Sequence, residues 1–162
     1  IGIGSSLAVD IPKLTGRVVD PGHVISDGKR DEIAKLLKDD EARTTNQIAV
    51  LVMKSIGDEP IEDFAQRTFE AWKLGRKDVD NGVLIVEDFQ HGKVRIHTGK
   101  GLQGVLPDIK ARQIIEEKGL PFYRQDKHGS ALLAIATEVA AVAATEQFAP
   151  PTMAASRRRC LG

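Results

Sequence analysis

Two short, nearly uninterrupted apolar runs constrain this chain more than any other feature of its sequence. Ile48–Met53 and Val83–Val86 are each as long as a strand and contain no polar residue. Successive side chains of a strand point to opposite faces of the sheet, so these runs indicate strands that are buried on both faces. Helices must then cover both sides of the sheet. A helical pattern between the two runs predicts a right-handed crossover and therefore a parallel pair.

Helical patterns surround these two strands. The segment that begins at Pro60, a residue suited to a first helical turn, carries the aromatic stripe Phe64, Phe69 and Trp72 on one face. We predict that this stripe, Trp72 included, is buried in the core. The predicted helices run from Ser26 to about residue 43, from Pro60 to Gly75, from Pro107 to about residue 118, and from Ser130 to Glu146.

The remaining strands complete the predicted fold. A turn at Gln90–Gly92 joins the second apolar run to Val94–His97 and predicts an antiparallel hairpin, and Arg17–Asp20 is a short strand near the start. The fold class predicted from this order is α/β, as a three-layer α/β/α sandwich with a small mixed sheet. The predicted domain spans residues 12–147, between a lead-in at 1–11 and a disordered tail at 148–162.

Composition excludes several classes of protein. The 23 basic and 23 acidic residues give no net charge, which argues against a nucleic-acid partner. Since no stretch of about 18 apolar residues occurs, we predict no membrane span in this chain. The single cysteine, Cys160, excludes an internal disulfide framework and a zinc site built from cysteines.

The first eight residues favour export. Ser6-Leu7-Ala8 has the small-x-small pattern of a signal-peptidase site, and the residues before it match the end of an apolar signal region. We therefore interpret residues 1–11 as a signal-peptide remnant and expect a secreted or periplasmic protein, membrane-tethered in a longer form.

The hairpin brings two polar loops together. Pairing around the predicted turn places residue 82 opposite residue 99, so Asp80-Asn81-Gly82 meets the loop Gly99-Lys100-Gly101 at one end of the sheet. Gln103 and Asp108 follow nearby, and oxygen ligands and glycines converge there. The alternative is a plain turn, because Asp-Asn-Gly commonly bonds to its own backbone. The G-x-G-x-x-G pattern at 99–104 follows a hairpin arm, which is the wrong context for dinucleotide binding.

Several segments, in the same order along the chain, resemble the TPM domain family. They are Leu14–Asp20, Ile61–Ala65, Trp72–Lys77, Val79–Leu84 and Gly99–Gly104. The last is similar to the family's Gly-x-Gly-Leu-Glu-Gly signature. The resemblance runs from about Pro12 to Ala144. It implies an α/β/α sandwich, and the family includes a thylakoid-lumen acid phosphatase and many secreted or membrane-tethered bacterial proteins.

The resemblance also implies a metal site. Some members bind calcium or another divalent ion in an acidic loop cluster, and Asp20, Asp80 and Asn81 match family motif positions. We therefore expect Ca²⁺ there, with Mg²⁺ or another divalent ion as the alternative. Gln103 stands where the family usually has glutamate, and Arg76 where some members are acidic, so binding should be weak because calcium affinity rises with the number of carboxylates.

Three functions remain open from the sequence. The first is a secreted or envelope module that binds a divalent ion weakly and interacts with an unidentified envelope or membrane protein. The second is a metal-assisted acid phosphatase, in which an ion at Asp20, Asp80 and Asn81 activates water and Lys100 holds the phosphate. The third treats the loops as turns and assigns function to another surface.

Overall fold

The two apolar runs form the centre of the sheet. The computed structural model describes residues 8–146 and residue 148. Strand β2 (Gln47–Met53) and strand β3 (Gly82–Asp88) are parallel, and Gln47 pairs with Gly82 at one end. β3 is buried over its whole length and β2 over all but its first residue. The prediction of a parallel pair covered on both faces is confirmed.

Two outer strands flank this pair. Strand β4 (Lys93–Thr98) is antiparallel to β3, and Val83 pairs with Thr98, the register that the hairpin predicts. Strand β1 (Val18–Val19) is parallel to β2, so the order across the sheet is β1-β2-β3-β4. Two edges result: an amino edge, where β2 and β3 begin, and a carboxyl edge, where β1, β2 and β3 end.

Helices occupy both faces of the sheet. Ser26 caps the first helix, since its Oγ accepts the backbone N–H of Lys29 at 3.2 Å. The helices are α1 (Asp27–Thr44), α2 (Ile61–Trp72), α3 (Asp108–Ile114), α4 (Leu120–Tyr123) and α5 (His128–Ala143). A 3₁₀ turn spans Lys100–Leu102, and a π-helical segment spans Ile115–Gly119.

The sheet separates two apolar cores. On one face the β-strand side chains pack against α1, α3 and α5, with Ile33, Ile114 and Ile135 among the buried residues. On the other face they pack against α2, where Phe64 is fully buried. The chain is therefore an α/β domain with an open mixed sheet between layers of helix, as predicted.

The aromatic stripe on α2 is buried only in part. Phe64 has no exposed area, but Phe69 and Trp72 are half-buried at the end of the helix, so the prediction that Trp72 is buried is wrong. The segment before β1 covers this end, because Val9 and Ile11 pack against the same core. The indole Nε1 of Trp72 donates to the Pro12 carbonyl oxygen at 2.9 Å. This bond satisfies the indole N–H of a tryptophan that is only partly exposed to solvent.

The third predicted helix continues past its expected end. The sequence predicts an end near residue 118, but the chain stays helical to Tyr123 through the π-helical segment and across Pro121. Pro121 has no N–H for the carbonyl four residues earlier, and its ring crowds that carbonyl. A wider π turn just before proline relieves this crowding.

Parts of the sequence interpretation fall on residues that the structure does not describe. Residues 1–7 of the lead-in and 149–162 of the tail are among them, so the signal-peptidase and disordered-tail expectations lie outside the described residues. Over residues 8–146 and 148, no helix combines the length and apolarity that a membrane span requires.

Phe64 is predicted to contribute most to the core on the α2 face. Phe64→Ala removes a fully buried ring and should cost about 3–5 kcal/mol of unfolding free energy. Phe69→Ala should cost less because Phe69 is partly exposed. Urea unfolding measures both, with Ile109→Ala, at a 63% exposed position, as the control. Equal costs for Phe64→Ala and Ile109→Ala would contradict this assignment of the core.

Candidate functional site

The predicted loop cluster forms at the amino edge. The Gly99 N–H donates to the Gly82 carbonyl at 2.8 Å, and the Gly101 N–H donates to the Asp80 carbonyl at 3.0 Å. The Asp80 carboxylate accepts the backbone N–H of Lys100 at 3.0 Å. The two loops are therefore joined by their own hydrogen bonds, and Asp80 adopts a left-handed conformation with φ of 52°.

The glycines of this loop are explained by close packing. A Cβ at Gly101 would overlap the Val79 carbonyl oxygen, and one at Gly99 would lie 2.5 Å from the Asp80 carbonyl oxygen. A Cβ at Gly104 would approach nothing closer than 3.9 Å. Two of the three signature glycines thus allow the loop to lie directly on the backbone of residues 79–80, a role that requires no ligand.

The Asn81 side chain is fully buried and bonded within the protein. Its Oδ1 accepts the Arg76 N–H at 2.8 Å, and its Nδ2 donates to Thr45 Oγ1 and Asn46 Oδ1, both at 3.1 Å. These bonds tie the turn before β3 to the start of β2. A fully buried amide with both ends engaged has a structural role here.

Two other predicted site residues lie elsewhere. Asp20 follows β1, which runs parallel to β2, so it lies at the carboxyl edge, roughly 20 Å of strand away from Asp80. Its carboxylate accepts the N–H groups of Val24 and Ile25, each at 2.9 Å. Asp108 is exposed at the start of α3 and pairs with Arg95 at 3.6 Å. The expectation that Asp20, Asp80 and Asn81 share one ion is therefore corrected.

The residues at the amino edge do not fit a calcium-type ion. Calcium takes six to eight oxygen ligands, several of them carboxylates. Asp80 supplies a carboxylate, whereas both ends of the Asn81 amide are engaged internally. Gln103, whose Nε2 donates to the Thr98 carbonyl at 3.2 Å, brings no negative charge. In the described part of the chain, no three His, Cys, Asp or Glu side chains group as metal ligands would.

A cleft opens at the opposite, carboxyl edge. It has a volume of about 520 Å³, within the range typical of ligand sites, and lies between the β3–β4 hairpin and the helices α4 and α5. The carboxyl ends of parallel strands are where open α/β sheets usually bind ligands. Its walls include Phe89 and Leu120, which are 44% and 37% exposed.

A network of polar side chains forms one wall of this cleft. The Tyr123 hydroxyl donates to Glu87 Oε1 at 2.7 Å, and His128 Nδ1 lies 2.6 Å from Glu87 Oε2. The other ring nitrogen of His128 lies 3.0 Å from Asp126 Oδ1. The Glu87 side chain is 2% exposed, and that of Asp126 is 90% exposed. The network therefore runs from the interior to solvent.

Local structure explains how these residues meet. The π-helical segment before Pro121 sets the rotation at which Tyr123 reaches Glu87. After α4 the chain reverses through Asp126, which has φ of 60°, and the Lys127 N–H donates to the Phe122 carbonyl at 2.9 Å. This tight reversal returns His128 to the end of β3.

Burial controls the ionisation of the network. It raises the pKa of Glu87 above its ordinary value of 4.5, the nearby Asp20 adds to the rise, and Tyr123 and His128 oppose it. Burial and the adjoining Glu87 carboxylate raise the pKa of Tyr123, so the phenol stays protonated and donates its hydrogen.

His128 is placed between two carboxylates. Its Nδ1 faces Glu87 and its Nε2 faces Asp126, and each ring nitrogen donates or accepts according to the tautomer. His128 therefore links the buried carboxylate of Glu87 to the exposed carboxylate of Asp126.

Sequence reasoning missed this cleft. The apolar run that predicts β3 ends at Val86, before Glu87, and none of the sequence motifs described above includes Tyr123 or His128. The available signal was the pair Glu87-Asp88, two acids directly after an uninterrupted apolar run at the carboxyl end of a parallel strand. The partners of Glu87, Tyr123 and His128, lie more than thirty residues further along the chain. No motif spacing encodes such a separation.

The packing of the glycine loop gives a matched pair of substitutions. Gly101→Ala should destabilise the protein by about 1–3 kcal/mol or more, because a methyl group must displace backbone at residue 79. Gly104→Ala, in the same loop with open space, should change stability by less than about 0.5 kcal/mol. Urea unfolding measures the two values, and equal values would contradict the close packing.

Glu87 should make stability depend on pH in a defined direction. A carboxyl group whose pKa is raised by folding contributes stability that is present below about pH 4.5 and is lost as the pH rises through the raised pKa. Wild-type protein should therefore lose stability relative to Glu87→Gln as the pH rises. Urea unfolding of wild type and Glu87→Gln at a series of pH values from below 4.5 upwards tests this prediction, with Glu116→Gln, at an exposed position, as the control. A difference that stays constant with pH would refute the assignment.

Solved structures of similar fold include proteins from three organisms. The N-terminal domain of a protein from P. gingivalis is 27% identical, with a TM-score of 0.79 over 87% of this chain and 96% of that chain. BA42 from the psychrophilic Bizionia argentinensis is 19% identical, with a TM-score of 0.65 over 78% of this chain and 86% of that one. The N-terminal domain of cg2496 from Corynebacterium glutamicum is 19% identical, with a TM-score of 0.60 over 89% and 90%.

A family model gives the assignment. No curated protein matches the chain significantly. The model described as the TPM domain matches residues 18–142, from β1 into the last turn of α5. This match spans both edges of the sheet and lies within the domain that the sequence predicts. The chain therefore belongs to the TPM domain family.

Proposed function

We propose that this TPM domain is an interaction module of the cell envelope that binds a partner protein in the cleft at the carboxyl edge. The observation that carries the proposal is the exposed apolar rim of that cleft. The described residues include four exposed large apolar side chains, and two of them, Phe89 and Leu120, line it. An apolar rim beside fixed polar groups is the usual chemistry of a recognition site.

The chemistry of both edges argues for binding over phosphoryl transfer. Phosphoryl transfer needs positive charge around the transferred group. The cleft presents the acids Glu87 and Asp126 instead. At the amino edge, Arg76 is paired with Asp78 at 3.0 Å, and Lys100, although exposed, is a single charge in the glycine loop. The metal-assisted acid phosphatase is thus the less favoured alternative.

The envelope location rests on sequence. Ser6-Leu7-Ala8 matches a signal-peptidase site, and the resemblance to secreted and membrane-tethered TPM proteins points the same way. Fractionation of cells that express the full gene tests it. Recovery of the protein in the cytoplasm with its first residues intact would contradict this part of the proposal.

Site-specific photo-crosslinking tests the binding site. A benzoylphenylalanine replacing Phe89 should yield a discrete crosslinked product in envelope fractions. The same residue replacing Ile109, which is more exposed but lies outside the cleft, should not. Leu120→Ala should reduce the product from position 89, because it removes the opposite wall of the cleft.

Two results would contradict the proposal. One is crosslinking that is equally strong from positions 89 and 109, which would indicate general surface stickiness. The other is steady hydrolysis of p-nitrophenyl phosphate by purified protein that is lost in Lys100→Ala, which would support the phosphatase instead.

A further inference from the structure

We propose that the cleft receives a cationic side chain, lysine or arginine, from the partner protein. This inference rests on the proposed function and adds the chemistry of the bound group. The stem of the side chain packs between Phe89 and Leu120, and its charged end lies against Asp126 and the Glu87–His128 pair.

The sign of charge in the cleft favours a cation. The described residues that line it include Glu87 and Asp126 and no lysine or arginine, although the whole chain has 23 basic residues. Tyr123 stays protonated and adds no charge. The carboxyl and imidazole groups that line the cleft or interact with its lining are Asp20, Glu87, Asp88, Asp126, His91 and His128. Carboxylates outnumber imidazoles even when both rings are protonated. A cation is therefore favoured and an anion is repelled.

Apolar and charged surfaces are placed in the cleft as a cationic side chain would need them. Lysine and arginine bury an apolar stem and keep a charged head near water. Phe89 and Leu120 provide a partly exposed apolar contact, and Asp126, 90% exposed, provides a charge at the solvent side. Tyr123 and Phe89 add aromatic rings, which attract cations. A purely apolar ligand would leave the carboxylates unused.

The side chains of the site are already ordered by contacts within the protein. Both ring nitrogens of His128 lie within hydrogen-bond distance of a carboxylate, and the ring contacts those of Phe89 and Tyr123 at centroid distances of 4.8 and 5.3 Å. Glu87 is fixed by Tyr123 at the same time. Little side-chain entropy is lost when a ligand meets groups that are already ordered.

Three peptides with a single variable position serve as probes. They are acetylated, amidated Ala-Leu-X-Leu-Ala, in which X is lysine, norleucine or glutamate. Titration into isotope-labelled protein, followed by amide chemical shifts, gives both the affinity and the location. The lysine peptide should shift the amides of residues 89–92, 120 and 122–128 and bind at least about ten-fold more tightly than the glutamate peptide. The norleucine peptide should bind with intermediate affinity, because it keeps the stem and lacks the charge.

Variants separate charge from packing. Asp126→Asn should weaken the lysine peptide several-fold and leave the norleucine peptide unchanged. Asparagine tolerates the φ of 60° at this position, so the turn is preserved. Asp63→Asn removes the same charge from α2, on the opposite face of the sheet, and should change neither affinity. Phe89→Ala should weaken the binding of all three peptides.

The outcomes distinguish this inference from the proposed function. Equal affinities for the lysine and glutamate peptides, or an Asp126→Asn variant that binds lysine normally, would overturn the cationic ligand while binding at the cleft stands. Chemical-shift changes confined to residues outside the cleft would also overturn the proposal of a cationic ligand in the cleft. If none of the peptides shifts the cleft amides and position 89 gives no crosslink, the proposed function itself fails.

Discussion

The structure depends on the burial of β2 and β3 on both faces. Two adjacent strands with apolar side chains above and below need cover on each side, and a short chain provides it by sending α2 across one face and α1, α3 and α5 across the other. The crossover makes the strands parallel, which gives the sheet two chemically different edges. Every polar cluster described above lies at one of these edges, because apolar side chains fill the middle of the sheet on both faces.

The two edges have opposite characters. At the amino edge the polar groups bond to one another: Asp80 to the backbone of Lys100, and Asn81 to both Asn46 and Arg76. Glycines without side chains let the backbones touch. At the carboxyl edge the polar groups also bond to one another, but they border a cleft with exposed apolar walls. Segments that carry the family resemblance thus stabilise the fold, while the accessible chemistry lies at the other end of the sheet.

Much of the fold could be predicted from the sequence because its signals are local. Apolar runs locate the central strands, Ser26 locates a helix start, and the turn at Gln90–Gly92 fixes the hairpin register. The position of Asp20 could also have been derived. A residue that follows a parallel strand lies at the opposite edge from residues that precede its neighbours, so Asp20 and Asp80 are necessarily apart. The cleft could not be derived in this way, because the approach of Tyr123 to Glu87 depends on the rotation added by the π-helical segment.

The position of Trp72 has a consequence for spectroscopy. It is the single tryptophan of the chain, and it lies half-exposed at the end of α2 with its indole N–H on the Pro12 carbonyl. Its emission therefore reports the attachment of residues 9–12 to α2 more directly than the integrity of the sheet. An unfolding curve followed by fluorescence measures detachment of this strap. Circular dichroism, which senses the helices on both faces, measures loss of the domain. If the fluorescence transition comes first, the later circular-dichroism transition reports the stability of the domain without its strap.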